Sequence, residues 1–387
     1  MRVLYLTDSL SDIDGVGRYG ISLIKALEAL EPGLEVEVLL ARKHRPTSDA
    51  VPAHWKVSVA LPPDYFFYMP ATRFWPSAAA SFARTWRAAR GCDLVHAIKD
   101  YPHSWIAERA ARFAGVPCVA TAHGTYSVQP LLNERHVERA KRTYARFASM
   151  ISVSGYTRRR MLELLPNPDR MAERIHVVPN CVDSEHYREP REVGARPWHE
   201  HRYTLGIGEL KERKGHHLSV AAWCRVAAGH DDLHHYIVGR PSGDAYQAAL
   251  ERVVAEAGLR ERVHFLGNIT EDEKVDLIQR AEVFVHTPVT AADGGFEGFG
   301  LVYLEASASG VPVIGTLECG AEDAIVTEET GLLVEPSVDA VTVALERLVS
   351  DAELRARMGA AGRAHAAKNT WEPNARRVLE LYREALR

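Results

Sequence analysis

The sequence predicts an α/β protein of two doubly wound domains, each with a Rossmann-like parallel sheet. Short apolar runs that suit buried parallel strands alternate with longer segments in which apolar residues have helical spacing. The length of 387 residues exceeds what one hydrophobic core usually holds. An aperiodic segment at residues 184–201, which contains Pro190, Gly194 and Pro197, separates two such series. We therefore expect two domains of similar size joined by a linker.

The first predicted domain covers residues 1–185. Its opening strand is Val3–Leu6, and the helix that follows is ended by Pro32 and Gly33. Further along the chain, a strand, a helix and a second strand are predicted in turn at Leu94–Ile98, Trp105–Ala114 and Pro117–Thr121. This repetition indicates a doubly wound sheet.

The second predicted domain covers residues 186–370. Its strands are predicted at Tyr203–Ile207, His235–Val238, Val263–Leu266, Val283–His286 and Pro312–Ile314. Residues 371–387 form an amphipathic helix with Val378, Leu381 and Ala385 on one face.

Composition and charge exclude several classes of protein. A net charge of −4 and a pI near 6.5 argue against a general nucleic-acid-binding protein. The five cysteines form no Cys-x-x-Cys pair, so neither a disulfide framework nor a zinc site is predicted. No apolar run reaches the ~18 residues of a membrane-spanning helix, and none resembles a secretory signal. We expect a cytoplasmic protein, with any membrane contact peripheral, at the inner surface.

The most informative segment is Asp293–Thr316. Gly295, Gly298 and Gly300 surround Glu297 after a predicted strand, and helix-forming residues begin at Leu301. A glycine-rich loop that enters a helix offers backbone N–H groups and the positive end of the helix dipole to an anion. Carboxylates beside such a site suit the hydroxyl groups of a sugar or ribose. Glu297 and, eight positions later, Glu305 supply them.

This segment resembles the signature of the retaining glycosyltransferases of family 4, the group 1 glycosyl transferases. The resemblance continues through Gly310–Thr316, Gly320–Ile325 and Gly331–Pro336. It implies the GT-B architecture, in which two Rossmann-like domains face an interdomain cleft, and residues 371–387 cross back to the first domain. It also implies that Glu297 binds the donor sugar and Glu305 the ribose. The helix start, Gly298 to Leu301 with Phe299 and Gly300, would face the phosphates.

A second part of the resemblance lies in Gly208–Gly215. The family has an arginine directly after the first glycine and a lysine before the last, and both bind the diphosphate of the donor. Lys214 matches the lysine, whereas Glu209 stands at the place of the arginine. Lys211 or Arg213 could supply the missing positive charge, or Glu209 could serve another partner.

The nucleobase is expected near Gly267 and Asn268, which follow a predicted strand. The family contacts the base through the backbone there, so the sequence does not reveal which base is bound.

In the first domain, Gly15–Gly20 fits the dinucleotide fingerprint Gly-x-Gly-x-x-Gly, which makes an NAD(P)-dependent oxidoreductase the first alternative. The glycines lie well beyond the strand end, which weakens that interpretation. Gly15, Gly17 and Arg18 also match the family's own loop near the donor phosphates or the acceptor, although Asp14 replaces a glycine that many members have there.

His123 follows a predicted strand and precedes a glycine, and the resemblance places it by the donor sugar or beneath the reacting carbon. The alternative is a histidine satisfied within its own turn. The pairs His216-His217 and His234-His235 lack metal-ligand spacing, and we interpret them as surface residues.

Two segments could contact an acceptor or a lipid surface. They are the aromatic run Tyr65–Met69 with Arg73–Trp75, and the basic helix with Arg84, Arg87 and Arg90. The alternative for both is core aromatics beside a solvated face.

Together these features predict a retaining transfer from a UDP- or GDP-sugar to a hydroxyl group of a small molecule, glycan or lipid. Lys214, Glu297 and His123 would be catalytic, and no cofactor or metal is expected. A catalytically silent GT-B scaffold is a further alternative, because Glu209 departs from the family pattern.

Overall fold

The computed structural model describes residues 1–11, 14–41, 50–62 and 69–387, which form two compact units. One unit is Met1–Asn180 together with Trp371–Arg387, and the other is Cys181–Thr370. The sequence placed the domain boundary after residue 185, five residues later (185 − 180) than the structure does.

The first unit contains a parallel sheet of seven strands in the order β3-β2-β1-β4-β5-β6-β7. The strands are β1 Arg2–Thr7, β2 Glu35–Ala41, β3 Lys56–Leu61, β4 Leu94–Ala97, β5 Cys118–Ala122, β6 Ser149–Ser152 and β7 Ile175–Val177. The helices between them are α1 Gly15–Leu30, α2 Ala71–Ala89, α3 His103–Ala114, α4 Thr125–Leu132, α5 Val137–Tyr144, α6 Gly155–Leu164 and α7 Pro168–Ala172. Val3, Leu4, Tyr5 and Leu6 of β1 are completely buried, as expected for a central parallel strand covered on both faces.

The second unit contains a parallel sheet of six strands in the order β10-β9-β8-β11-β12-β13. The strands are β8 Arg202–Ile207, β9 Leu233–Val238, β10 Val263–Gly267, β11 Val283–Val285, β12 Val313–Thr316 and β13 Gly331–Val334. Its helices are α8 Ser184–Arg188, α9 His216–Val226, α10 Ala245–Glu256, α11 Glu271–Arg280, α12 Leu301–Ser309, α13 Ala321–Ala324, α14 Val338–Ser350 and α15 Ala352–Ala366. The predicted α/β class with two doubly wound parallel sheets is confirmed.

The C-terminal helix α16, Trp371–Ala385, belongs to the first unit. Val378, Leu381 and Tyr382 are completely buried, and the Tyr382 hydroxyl lies 2.5 Å from Nδ1 of His96 in β4. The guanidinium of Arg383 donates a hydrogen bond to Glu31 at the end of α1, at 2.9 Å. The helix therefore completes the core of the first unit.

The interpretation of residues 184–201 as a linker is wrong. The segment contains α8 and a short 3₁₀ turn at Pro197–His199. Trp198 is buried, and its Nε1 donates a hydrogen bond to the Asp276 carboxylate of α11 at 2.8 Å. Aperiodic sequence here reflects irregular chain that packs through individual side chains, which a search for periodicity does not detect.

The predicted aromatic and basic segments of the first domain are described only in part. Residues 65–68 of the run Tyr65–Met69 lie outside the described residues. Phe74 at the start of α2 is buried, whereas Trp75 is half exposed and lies under the guanidinium of Arg139, 4.7 Å from its ring centroid. No helix within the described ranges combines the length and apolar character needed to cross a membrane.

Candidate functional site

The order in which strands are added to the second sheet reverses between β8 and β11. The chain builds the sheet outwards from β8 to β10 and then returns to add β11 on the other side of β8. In open α/β sheets, the loops that follow the two strands at such a point diverge and leave a crevice for ligand. The loops here are residues 208–215 after β8 and residues 286–300 after β11.

Close backbone contacts fix these two loops against each other. Gly215 has a φ of +69°, and a Cβ at this position would overlap the carbonyl of Thr287. The Thr287 hydroxyl donates to the Gly215 carbonyl at 2.8 Å, and the Val289 N–H donates to the Arg213 carbonyl at 3.0 Å. Only glycine combines this backbone conformation with so close an approach.

Three cationic or basic side chains converge on the carboxylate of Glu297. Lys214 Nζ donates a short hydrogen bond to Glu297 Oε2, Nε2 of His286 lies 3.5 Å from the same oxygen, and the Arg213 guanidinium lies at 3.8 Å. The side chains of Lys214 and Glu297 are only 17% and 13% exposed, so water screens this pair weakly. The loops after β8 and β11 thus carry opposite charges to one place.

The pKa values in this cluster favour a charged carboxylate among neutral imidazoles. Burial alone would raise the pKa of Glu297, but Lys214, His286 and Arg213 hold it well below its usual range. Burial lowers the pKa of Lys214 despite the opposing effect of Glu297. Burial also lowers the pKa of His286, and it lowers that of His216, which lies against the Gly208 carbonyl, to about 3.

The start of α12 is open to an anion. Gly300 precedes the helix with a φ of +82°, and no side chain of a described residue caps Leu301 and the rest of the first turn. The loop before it is anchored, because the Gly320 N–H donates to the Glu297 carbonyl at 2.8 Å. A Cβ on Gly320 would overlap the carbonyl of Gly298 and the Cα of Phe299. Unsatisfied N–H groups at a helix start form an anion site.

Glu305 lies on the second turn of α12 and is buried. Its Oε2 is 3.3 Å from Nζ of Lys274 in α11, and this ammonium also contacts Glu271 at 2.9 Å and the Tyr187 hydroxyl at 3.0 Å. The structure therefore places Glu305 beside Lys274, whereas Glu297 lies beside Lys214.

Gly267 and Asn268 lie at the end of β10. Gly267 accepts a hydrogen bond from the Gly239 N–H at 2.9 Å, and it lines a pocket of about 310 Å³ with Leu210, Pro241 and Phe265. Asn268 is exposed.

In the first unit, the loop after β1 leads into α1 through Asp14. The Asp14 carboxylate caps the helix by accepting from the Gly17 N–H at 2.7 Å, and it accepts from the Ser9 hydroxyl at 2.5 Å. Gly15 is the first residue of α1 and is exposed, Arg18 lies in its first turn, and a Cβ on Gly17 would overlap the backbone of Ser11. A carboxylate therefore already occupies this helix start.

His123 directly follows β5 and is partly buried. Its Nε2 lies 2.9 Å from the Ile98 carbonyl, which can only accept, so Nε2 carries the proton. Burial lowers the pKa of His123, which favours the neutral ring with a lone pair on Nδ1. The Tyr19 ring packs edge-on against it, with 4.8 Å between centroids.

Comparisons with known proteins identify the family. The sequence profile of the group 1 glycosyl transferases matches residues 194–365, and that of glycosyltransferase family 4 matches residues 13–186. The D-inositol 3-phosphate glycosyltransferase of Nocardia farcinica is 30% identical over 322 residues, which cover 76% of this chain and 67% of that protein. The chain belongs to glycosyltransferase family 4.

Other members match over shorter lengths. The GDP-mannose-dependent alpha-(1-6)-phosphatidylinositol monomannoside mannosyltransferase of Mycolicibacterium smegmatis is 33% identical over 239 residues, 59% of this chain and 60% of that protein. The GDP-mannose-dependent monoacylated alpha-(1-6)-phosphatidylinositol monomannoside mannosyltransferase of Corynebacterium glutamicum is 38% identical over 176 residues, which cover 44% of this chain and 44% of that protein. The matched segments thus span less than two thirds of these two relatives.

Solved structures share the fold. HepE of Anabaena, in a complex with UDP and glucose, superposes with a TM-score of 0.76 at 19% identity, covering 98% of each chain. The sucrose-phosphate synthase of Thermosynechococcus elongatus also gives 0.76, at 21% identity, covering 99% of this chain and 98% of that one. The predicted GT-B fold is therefore confirmed.

Glu209, at which this family 4 member departs from the family pattern, forms ion pairs with neighbouring side chains. Burial would raise the pKa of Glu209, but Lys211 at 2.7 Å and Arg240 at 3.5 Å lower it overall. Of the two substitutes suggested by the sequence, Lys211 is thus engaged by Glu209, while Arg213 approaches Glu297. The surface interpretation is wrong for His216 and His235, which are buried.

Sequence reasoning missed His286 and a buried ion pair in the first unit. Lys99 Nζ lies 2.7 Å from the Asp8 carboxylate, with side chains 10% and 8% exposed. Asp8 directly follows β1 and Lys99 lies just after β4, the neighbouring strands at which the first sheet reverses its order. The only sequence signal was charged residues directly after apolar strands.

Proposed function

We propose that the protein transfers a sugar, with retention at the anomeric carbon, from a nucleoside diphosphate sugar to an acceptor hydroxyl group. The observation that carries this proposal is the meeting of Lys214, Arg213 and the open start of α12 around Glu297. Cations and helix N–H groups suit a diphosphate, and a carboxylate suits sugar hydroxyls. Both kinds of group occur at one end of one sheet.

The leaving diphosphate gains negative charge as the glycosidic bond breaks. Lys214, Arg213 and the first N–H groups of α12 would stabilise that charge most strongly in the transition state, which is the requirement for catalysis. A diphosphate bound to Lys214 would weaken the pairing of this lysine with Glu297. The Glu297 carboxylate would then accept hydrogen bonds from the donor sugar. This step requires no divalent cation and no cofactor.

Retention by a covalent route would need a carboxylate nucleophile behind the anomeric carbon. Glu297 is assigned to the sugar hydroxyls, so we favour departure and attack on the same face. The bond between the anomeric carbon and the phosphate oxygen breaks, and the acceptor oxygen forms its bond on the side that the phosphate leaves. The acceptor proton passes to the departing phosphate oxygen, which balances the reaction.

The remaining residues would position the substrates. His123, through its Nδ1 lone pair, would accept from a sugar hydroxyl, and Glu305 would bind the ribose. The nucleobase would enter the pocket lined by Gly267 and Phe265. At the start of α1, Gly17 would contact the donor, and Gly15 and Arg18 would lie on the acceptor side.

The names of the relatives guide the choice of substrates. Two are named as GDP-mannose-dependent phosphatidylinositol monomannoside mannosyltransferases, and another as a D-inositol 3-phosphate glycosyltransferase. We therefore take GDP-mannose as the first donor to test and inositol phosphates or phosphatidylinositol as acceptors. A lipid acceptor would require peripheral contact with a membrane surface.

The test is a panel of UDP-, GDP- and ADP-sugars with these acceptors, followed by release of the nucleoside diphosphate and by NMR of the product. We expect release with one donor, a product of unchanged anomeric configuration, and full activity in EDTA. Glu297→Gln should lose activity by orders of magnitude while remaining folded. Inversion would overturn the same-face route, and near-normal transfer by the variant would overturn the assignment of Glu297.

The donor panel and a separate binding assay for NAD(P) distinguish the two alternatives. A silent scaffold would release no nucleotide from any donor, and an oxidoreductase would bind NAD(P). The structure disfavours the oxidoreductase because the fingerprint glycines, Gly15 and Gly17, lie within α1 and Asp14 occupies its start. A pyrophosphate there would meet a carboxylate.

A further inference from the structure

Three histidines lie together at the amino-terminal ends of adjacent strands in the second unit. His201 directly precedes β8, and His234 and His264 are the second residues of β9 and β10. These strands are neighbours in the sheet, in the order β10-β9-β8. Gly208 follows the carboxyl end of β8 and Gly267 is the last residue of β10, so the histidines lie at the end of the sheet opposite the proposed donor site.

The three rings are in contact and partly buried. His201 and His234 stack with 3.7 Å between ring centroids and an angle of 5° between planes. The ring of His264 lies 5.2 Å from that of His234, with 9° between planes. One nitrogen from each ring falls within 4.8 Å of the other two.

The spacing of the nitrogens is close to that of a metal site. Nδ1 of His234 and Nε2 of His264 are 2.9 Å apart. Two imidazole nitrogens on one tetrahedral zinc ion, each at ~2.0–2.1 Å, are separated by about 3.3 Å. A small movement of either ring would therefore admit the ion, and the two nitrogens already face each other.

A neighbouring hydroxyl group orients the third ring. Nδ1 of His201 lies 2.6 Å from the hydroxyl of Tyr236, a buried residue of β9. Metal-binding histidines commonly use their second nitrogen in such a hydrogen bond, which leaves the other nitrogen for the metal. For His201 that other nitrogen is Nε2.

Ligand type and coordination number narrow the choice of ion. Neutral imidazoles are ligands for zinc, copper and nickel, whereas magnesium and calcium require oxygen ligands. Three protein ligands on zinc leave the fourth tetrahedral position for water or an added ligand. Because the lone pairs of stacked rings lie in parallel planes, metal binding requires His201 to turn about its Cβ–Cγ bond, out of its stack on His234 and out of its present contact with Tyr236.

We propose that His201, His234 and His264 bind one Zn²⁺ ion and so clamp together the amino-terminal ends of β8, β9 and β10. The site takes no part in the proposed transfer reaction. It lies on strands of the second unit alone, so its effect is on the stability of that unit.

The test is zinc titration by calorimetry on the purified chain, freed of any histidine tag and dialysed against a chelator. We expect one equivalent of Zn²⁺ to bind and to raise the melting temperature. Co²⁺, as a substitute, should show the visible absorption of tetrahedral cobalt. His234→Gln and His264→Gln should each weaken binding at least tenfold.

The matched control is His365→Gln, which changes another partly buried histidine of the same unit, on α15. It should bind zinc as the unaltered chain does. Circular dichroism of each variant shows whether it is folded, and the cobalt spectrum of the unaltered chain supplies a measurement that needs no variant. The proposal would be overturned if the unaltered chain bound no zinc, or if His234→Gln and His264→Gln bound zinc as tightly as the unaltered chain does.

Discussion

The two units place a buried pair of lysine and carboxylate at the same point of their sheets, yet the two pairs differ. In the first unit Lys99 and Asp8 follow β4 and β1, and in the second Lys214 and Glu297 follow β8 and β11. Asp14 caps the first helix of the first unit, whereas no described side chain caps α12. The carboxylate at a capped helix start opposes a phosphate, whereas an open helix start suits one.

The pKa values of the two lysines also shift in opposite directions. Burial acts to lower the pKa of Lys99, but Asp8 and Asp100 raise it overall. Burial lowers the pKa of Lys214, and Arg213 adds to that effect, so the net shift is downward despite Glu297. The pair in the first unit is a fixed ion pair. In the second unit, the crowding of positive charge favours an additional anion.

The largest effect should come from Lys214→Met. This change removes the cation nearest Glu297 at little cost in volume, and loss of one charged donor to a developing anion typically lowers kcat by 10²–10³. Steady-state kinetics with the active donor measure it. Lys211→Met, whose lysine pairs with Glu209, is the control and should stay within a few-fold of the unaltered enzyme.

Arg213→Gln should have a smaller effect. At 3.8 Å from Glu297, the guanidinium stands where it can replace the arginine that Glu209 displaced. We expect kcat/KM for the donor to fall about tenfold, as for one charge-assisted contact worth about 1.4 kcal/mol. The control, Glu209→Gln, should leave kcat/KM nearly unchanged. A larger loss in Glu209→Gln than in Arg213→Gln would reverse the roles.

Asp14→Ala should lower the free energy of unfolding without changing the KM for the donor. Loss of an N-cap carboxylate typically costs about 1 kcal/mol of unfolding free energy. Urea unfolding measures this, and Asp14→Asn should recover most of it because the amide oxygen still accepts from the Gly17 N–H. A rise in donor KM for Asp14→Asn would show that the carboxylate itself contacts the substrate.

The smallest effect concerns amine reactivity at about pH 9. A lowered pKa gives Lys214 a larger neutral, reactive fraction than Lys99, whose raised pKa keeps it protonated. Acetylation followed by peptide mass spectrometry should modify Lys214 severalfold faster. Added nucleoside diphosphate should slow modification of Lys214 and leave Lys99 unchanged. Faster modification of Lys99 would contradict the comparison.

Sequence motifs revealed the fold class, and they predicted Lys214 and Glu297 as site residues, because glycines and charges recur at fixed spacing around each strand end. Other features depend on distances that spacing does not encode. Whether Arg213 or Lys211 turns towards Glu297 depends on loop conformation. The family pattern identified Asp14 only as a replacement for the glycine that many members have there, and so did not predict that it caps α1.

The histidine cluster shows the same limit more strongly. His201, His234 and His264 are about 30 residues apart and meet only because β8, β9 and β10 pair in parallel with a particular register. A search for ligands at short spacing therefore passes over them.

The packing of α16 also affects the order in which the protein can fold during synthesis. His96 and Tyr382 meet in the core of the first unit, but the ribosome makes the whole second unit between them. The second unit can therefore complete its fold while the first unit still exposes the apolar surface that Val378 and Leu381 cover. A nascent chain halted before Trp371 would present that surface to chaperones.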